Sequence, residues 1–105
     1  MKTLTFKKEE PKLKIELPDG SEMILTRRFI SIENIEEFDA QLLEMVRQVN
    51  SGEISNLNYV FRVIDHVCEG FEPEKLNKLN SHALQDIAQA VLELRRESAL
   101  EKKSG

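Results

Sequence analysis

The chain has 105 residues and a mass of 12.1 kDa, a size that suits one compact domain with a single hydrophobic core. Hydrophobic residues make up 40% and charged residues 32%, the proportions of ordinary globular proteins rather than of disordered or fibrous sequences. The net charge of -4 provides no global attraction to phosphate backbones, so nucleic acid is not an expected partner.

The two ends of the chain and the absence of long apolar runs bear on localisation. No apolar run approaches the roughly 18 residues that a membrane span requires. The N-terminal stretch MKTLTFKKEEPK lacks the apolar centre of a secretion signal, so we expect a cytoplasmic chain without membrane contact. Residues 1–11 and 97–105 contain few apolar side chains that could pack on a core, so we expect both segments to be flexible.

A β-hairpin is predicted near the N-terminus. Residues 12–17, KLKIEL, alternate charged and aliphatic side chains, which places the aliphatic ones on one face of a strand. Residues 18–20, PDG, are typical of a tight reversal, and the β-branched and aliphatic residues that follow predict a return strand. The hairpin is therefore expected over residues 12–29.

The next stretch predicts an amphipathic helix with acidic first turns, where the helix dipole favours negative charge. Asn34 and Glu37 resemble a capping box with Asn in place of Ser or Thr, and Ser31 is the other candidate cap. Gly52 predicts that the helix ends at a glycine in the left-handed backbone conformation. The apolar stripe comprises Ile35, Phe38, Leu42, Met45, Val46 and Val49, and the acidic residues are Glu33, Glu36 and Glu37.

A second helix follows after a short connection, which favours antiparallel packing on the first. Ser55 or Asn56 is expected to cap its start, and Gly70 followed by Phe71 predicts a Schellman ending. Its predicted inward stripe comprises Leu57, Val60, Phe61, Ile64, Val67 and Cys68.

Pro73 predicts a short helical turn, and Asn80 or Ser81 begins a last helix. The whole chain, residues 1–105, is thus expected to form one mainly α domain of the α+β class. Its hairpin is followed by three to four helices over residues 31–96, packed as a small bundle.

The residues that could carry chemistry do not form a known constellation. His66 and His82 lack the spacing of a metal site, and His66 is expected at the surface. Cys68 is the only cysteine, which excludes an intramolecular disulfide and favours a small buried hydrophobe. The four glycines do not form a phosphate-binding loop. We therefore predict no enzymatic activity, no metal and no cofactor.

Side chains that lie off the main apolar stripes are the candidates for a protein interface. Arg27 and Arg28 suit bidentate contact with an acidic peptide or a phosphate, although a solvated strand end that discourages edge pairing is the favoured interpretation. The apolar candidates are Phe29, Ile30, Ile32, Leu43, Tyr59 and Leu94.

The order of these parts resembles a known family. A charged hairpin with a PDG turn, an acidic first helix, a second helix and the stretch FEPEKLNKLNSHALQDIAQAVLELR together resemble the tail assembly chaperones of long-tailed phages and prophages. The resemblance covers residues 12–96 and includes the leucine spacing of Leu76, Leu79 and Leu84.

This resemblance implies a non-enzymatic, helix-binding protein. Such chaperones coat the tape measure protein, keep its apolar surface soluble, help to recruit tail tube subunits and commonly self-associate, so a homo-oligomer is expected here. The alternative from a different class is a small regulatory adaptor or inhibitor that acts by protein–protein contact through the acidic first helix.

Overall fold

A computed structural model describes residues 1–101 and confirms the α+β class and the N-terminal hairpin. A three-stranded antiparallel sheet in the order β1-β2-β3 packs with three α-helices. The elements are β1 (Lys12–Glu16), β2 (Glu22–Arg27), α1 (Ile35–Asn50), α2 (Asn56–Val67), β3 (Cys68–Glu69), a 3₁₀ helix (Pro73–Leu76) and α3 (Ser81–Arg95).

The hairpin pairs Leu13 with Leu25 and Glu16 with Glu22. Because side chains alternate across a strand, this register places Leu13 and Ile15 of β1 on the same inner face as Met23 and Leu25 of β2. Met23 and Leu25 are buried there, whereas Ile24 between them is exposed on the outer face.

The third strand corrects the predicted end of the second helix. Helix α2 ends at Val67 rather than in a Schellman turn, and Cys68 is already extended, with φ -127° and ψ 152°. Cys68 pairs with Arg27, and Glu69 pairs with Thr26. The prediction was wrong because the open edge of β2 offers backbone hydrogen-bond partners that a pattern confined to the helix does not contain.

Two of the predicted helix caps are confirmed, and the capping box is wrong. The Ser55 hydroxyl accepts the Asn58 N–H at 3.1 Å, and the Asn80 side-chain oxygen accepts the Ala83 N–H at 2.8 Å. Asn34 instead has a helical backbone, and its side-chain amide donates to the Ser31 hydroxyl. From that conformation its side chain does not accept a hydrogen bond from the first turn of α1.

The core lies between the inner face of the sheet and helices α2 and α3. Helix α2 packs on both α1 and α3, and α3 also contacts β1. Phe38 is the one buried residue of α1, and the other apolar residues of this helix are partly or fully exposed. The buried set comprises Leu17, Met23, Leu25, Phe38, Val63, Ile64, Val67, Cys68, Leu76, Leu84, Ile87, Val91 and Leu94.

The two end segments of the described chain run beside each other. The Lys7 N–H donates to the Ala99 carbonyl at 2.8 Å, and the Glu101 N–H donates to the Thr5 carbonyl at 2.8 Å. Flexibility of these segments stays a prediction, and residues 102–105 of the predicted flexible tail lie outside the described residues. Within residues 1–101, every helix is too short or too polar to cross a bilayer.

Candidate functional site

A cleft of 530 Å³ opens where the end of β2, the start of α1, the end of α2 and the end of α3 meet. We call it the arginine cleft, because four arginines line it together with two carboxylates and four apolar side chains. Its lining residues are Glu10, Arg27, Arg28, Ile30, Ile35, Phe38, Asp39, Val67, Arg95 and Arg96.

Arg27 holds three parts of the fold together at one side of this cleft. Its Nε donates to the Glu10 carboxylate at 2.8 Å. Its Nη1 donates to the carbonyls of Leu94 at 3.1 Å, Arg95 at 3.3 Å and Glu97 at 2.6 Å. The Arg27 guanidinium therefore bonds to carbonyls at the C-terminus of α3 and just beyond it. The predicted solvated strand end is wrong for Arg27, whose side chain is only 14% exposed.

A stack of three side chains connects α1 to the other two helices. The Phe38 ring stacks on His66 with centroids 4.1 Å apart, and the Arg95 guanidinium carbon lies 5.7 Å from the Phe38 centroid. Arg95 also donates to the Asp39 carboxylate. His66 is half-buried, with Nε2 3.1 Å from the Phe38 carbonyl, so its predicted surface position is wrong. The ring of Phe38, which belongs to α1, covers one face of the His66 ring in α2.

The two remaining arginines of the cleft, Arg28 and Arg96, are more exposed than Arg27 and Arg95 and can contact an external partner. Arg28 donates to the Asp65 carbonyl at 3.1 Å and lies 3.7 Å from the Glu69 carboxylate, with its side chain 37% exposed. The Arg96 side chain makes no hydrogen bond or ion pair within residues 1–101 and is exposed. Arg28 and Arg96 form what we call the basic rim.

Two acidic residues, one in the turn before α1 and one in its first turn, are close in sequence to residues that line this cleft. A turn over residues 32–34 connects Ile30 to Ile35, both of which line the cleft. Ile32, Glu33 and Glu36 are exposed, and we call them the acidic lip. Neither of the two carboxylates forms an ion pair within residues 1–101.

The predicted interface residues separate into exposed and covered groups. Phe29 is 75% exposed, Ile32 92% and Leu43 70%. Ile30 and Tyr59 are half-buried against the core. Leu94 is buried, because α3 turns this side chain toward the sheet, and it provides no surface for a partner.

Two apolar residues that sequence analysis places in inward stripes are exposed instead. Val46 of α1 and Leu57 of α2 are both solvent-accessible. Val46 follows Leu43 by three positions, so the two side chains are neighbours on the outer face of α1. Helical periodicity alone does not distinguish them from core residues; the signal that could have found them is the excess width of the apolar stripe.

Cys68 is confirmed as a buried hydrophobe. Its side chain is inaccessible, and burial raises the pKa of the thiol to about 11, while the charges of Arg28 and Arg27 oppose this increase. No group of three or more His, Cys, Asp or Glu side chains within residues 1–101 is placed to hold a metal ion.

Comparisons with protein-family models, with curated proteins and with solved structures gave no match to this chain.

Proposed function

We propose that the chain is a cytoplasmic tail assembly chaperone of a phage or prophage, which keeps the tape measure protein soluble by binding its helices. The observation that carries the proposal is the outer face of α1, where Leu43 and Val46 are exposed at helical spacing. Phe29 and Ile32 extend the exposed apolar surface along the chain just before α1. The family resemblance of residues 12–96 supplies the nature of the partner.

The proposed mechanism is capture of an amphipathic helix. The apolar side of a tape measure helix packs against the exposed face of α1, which removes apolar surface from water. Such burial contributes about 25 cal/mol per Å² before the cost of association is subtracted. The net charge of -4 then keeps the complex apart from other complexes by repulsion. No bond is made or broken in this role.

The resemblance also implies self-association and contact with the tail tube subunit. A chaperone that covers a long helix needs many copies along it, which a homo-oligomer supplies. Neither nucleic acid nor a membrane has a part in the proposed role.

Titration of a fluorescently labelled helical fragment of the tape measure protein tests the proposal. We expect Leu43→Ser to weaken binding about tenfold, since the loss of one leucine contact costs about 1.5 kcal/mol or more. Ile24→Ser is the matched control, because Ile24 is also an exposed aliphatic residue but lies on the outer face of the sheet. Absence of binding to the unmodified chain, or equal effects of the two substitutions, would contradict the proposal.

A second candidate function is a regulatory adaptor or inhibitor that binds through the acidic start of α1. It is favoured by Glu33, Glu36 and Glu37, which are exposed and make no ion pair within residues 1–101. In that case, the double substitution Glu36→Gln with Glu37→Gln weakens the complex between the chain and its target. The substitution Leu43→Ser leaves that complex unchanged. Pull-down of the same variants against the captured target distinguishes the two functions.

A further inference from the structure

The arginine cleft carries an excess of positive charge, although the chain as a whole has a net charge of -4. Four arginines line the cleft, against the two carboxylates of Glu10 and Asp39. The acidic lip contributes no residue to this lining. The cleft is therefore a positively charged site on an acidic protein, and its charge favours a negatively charged ligand.

Two of the four arginines already have a carboxylate of this chain as their partner. The Arg27 Nε donates to the Glu10 carboxylate at 2.8 Å, and Arg95 donates to the Asp39 carboxylate. The side chains of these two arginines are also mostly covered. Their charges are therefore satisfied within the fold, and the excess positive charge of the cleft belongs to the basic rim.

The basic rim retains hydrogen-bond donors for a ligand. The Arg28 side chain contacts the Asp65 carbonyl and lies 3.7 Å from the Glu69 carboxylate, which is beyond hydrogen-bond distance. The Arg96 side chain makes no hydrogen bond or ion pair within residues 1–101. Because a guanidinium presents its five N–H donors in a fork that matches a carboxylate, both side chains can bind carboxylates that another molecule supplies.

The same cleft has an apolar part. Ile30 and Ile35, both half-buried, line it together with the buried Val67. An inorganic anion gains nothing from these side chains, whereas a ligand with an aliphatic group beside its carboxylates contacts both parts of the lining. The cleft volume of 530 Å³, against about 30 Å³ for one water molecule in the liquid, has room for a peptide segment rather than for a single ion.

We propose that the arginine cleft binds an acidic peptide segment of a partner protein, in which two carboxylates flank an aliphatic side chain. The carboxylates pair with Arg28 and Arg96, and the aliphatic side chain packs on Ile30 and Ile35. The peptide thus gives the basic rim the same kind of partner that the other two arginines have within the fold. This site is additional to the proposed function, because Leu43 on the outer face of α1 is not among the residues that line the cleft.

Fluorescence polarisation of a short labelled peptide tests the site in the full chain. The probe has a leucine between two glutamates, with glycine and serine on either side. We expect saturable binding that Arg96→Gln weakens at least about tenfold, because this substitution removes the guanidinium of one charge-assisted pair. Arg62→Gln is the matched control, since Arg62 is an exposed arginine without an ion pair in the described chain and does not line the cleft. Circular dichroism melting verifies that both variants are folded.

Two altered peptides examine the two parts of the recognition separately. Glutamine in place of both glutamates is expected to weaken binding at least about tenfold, because the ion pairs are lost. Serine in place of the leucine is expected to weaken binding about fivefold, because less apolar surface is buried. Equal affinity for the glutamine peptide and the original peptide would overturn carboxylate recognition.

Inorganic phosphate is the competitor that distinguishes a peptide site from a general anion site. We expect its inhibition constant to exceed the dissociation constant of the peptide at least about tenfold, because phosphate makes no favourable contact with the apolar lining. An inhibition constant equal to that of the peptide or below it would make the cleft a site for inorganic anions and would overturn a peptide partner.

Leu43→Ser separates this site from the proposed function. It is expected to leave peptide binding unchanged while it weakens binding of the tape measure helix, whereas Arg96→Gln is expected to weaken only peptide binding. If the unmodified chain does not bind the peptide, or if Arg96→Gln and Arg62→Gln have equal effects, the peptide site is wrong and the chaperone proposal stands. If the peptide binds as expected and no helix binds, the site stands and the chaperone proposal fails.

Discussion

Gly70 brings its backbone closer to the sheet than any other residue type permits. It has φ +87°, and a Cβ atom at this position would lie 2.5 Å from the carbonyl oxygen of Ile24 in β2. That oxygen belongs to a strand of the sheet and cannot yield as a flexible side chain can. The tight turn after β3 therefore requires glycine for two reasons, conformation and space.

We expect Gly70→Ala to lower the free energy of unfolding by more than about 2 kcal/mol, because it combines left-handed strain with a backbone clash. Urea denaturation followed by circular dichroism measures the change. Gly52→Ala is the control: Gly52 has φ +80° but nothing within 4 Å of the added Cβ, so only the strain of about 1 kcal/mol applies. Equal losses for the two substitutions would contradict the close approach to Ile24.

Helix α1 depends on fewer contacts than the other two helices. It packs mainly on α2, and Phe38 is its one buried residue. The stack of Arg95, Phe38 and His66, together with the Arg95–Asp39 ion pair, adds to this attachment. Elements with few buried apolar contacts unfold locally more readily than the rest of a fold.

Amide hydrogen exchange is therefore expected to be at least about tenfold faster in α1 than in α3, as measured by mass spectrometry of peptides. Phe38→Ala removes the stack and is expected to accelerate exchange further in α1 while the hairpin changes little. Leu43→Ala, on the exposed face of the same helix, serves as the control and leaves exchange unchanged. Uniform protection of all three helices would show that α1 is attached as firmly as the others.

The described part of the chain, residues 1–101, is extended for its length. Its radius of gyration is 15.7 Å, against about 13 Å for a compact domain of about 100 residues. The core occupies the region from the hairpin to α3, and the segment before Glu10 is mostly exposed. The stability of the chain should thus reside between Glu10 and the end of α3.

Deletion of residues 1–8 is expected to change the free energy of unfolding by less than about 1 kcal/mol, since the removed side chains are mostly exposed. Glu10→Ala should cost more, about 1–3 kcal/mol, because it leaves the half-buried Arg27 guanidinium without its carboxylate. Chemical denaturation of both variants provides the comparison. A larger loss from the deletion would place the terminal pairing among the main supports of the fold.

Short-range patterns in the sequence are sufficient for several features of this protein. Alternation over residues 12–17 and the PDG turn predict the hairpin, and Ser55, Asn80 and Gly52 mark helix ends correctly. The physical reason is that strand alternation, turn conformation and caps depend on residues a few positions apart. The burial of Cys68 follows from its apolar neighbours in the same way.

Contacts between distant segments decide the rest. The edge of β2 pairs with the residues after Val67, which ends helix α2 and forms β3. The side chain of Arg27 bonds to carbonyls at the end of α3, and Val46 stays exposed although its spacing places it in the inward stripe of α1. The arginine cleft likewise exists only where four elements meet. A single sequence specifies which faces are apolar, but which of them is covered depends on which elements come together, and that is a property of the tertiary structure.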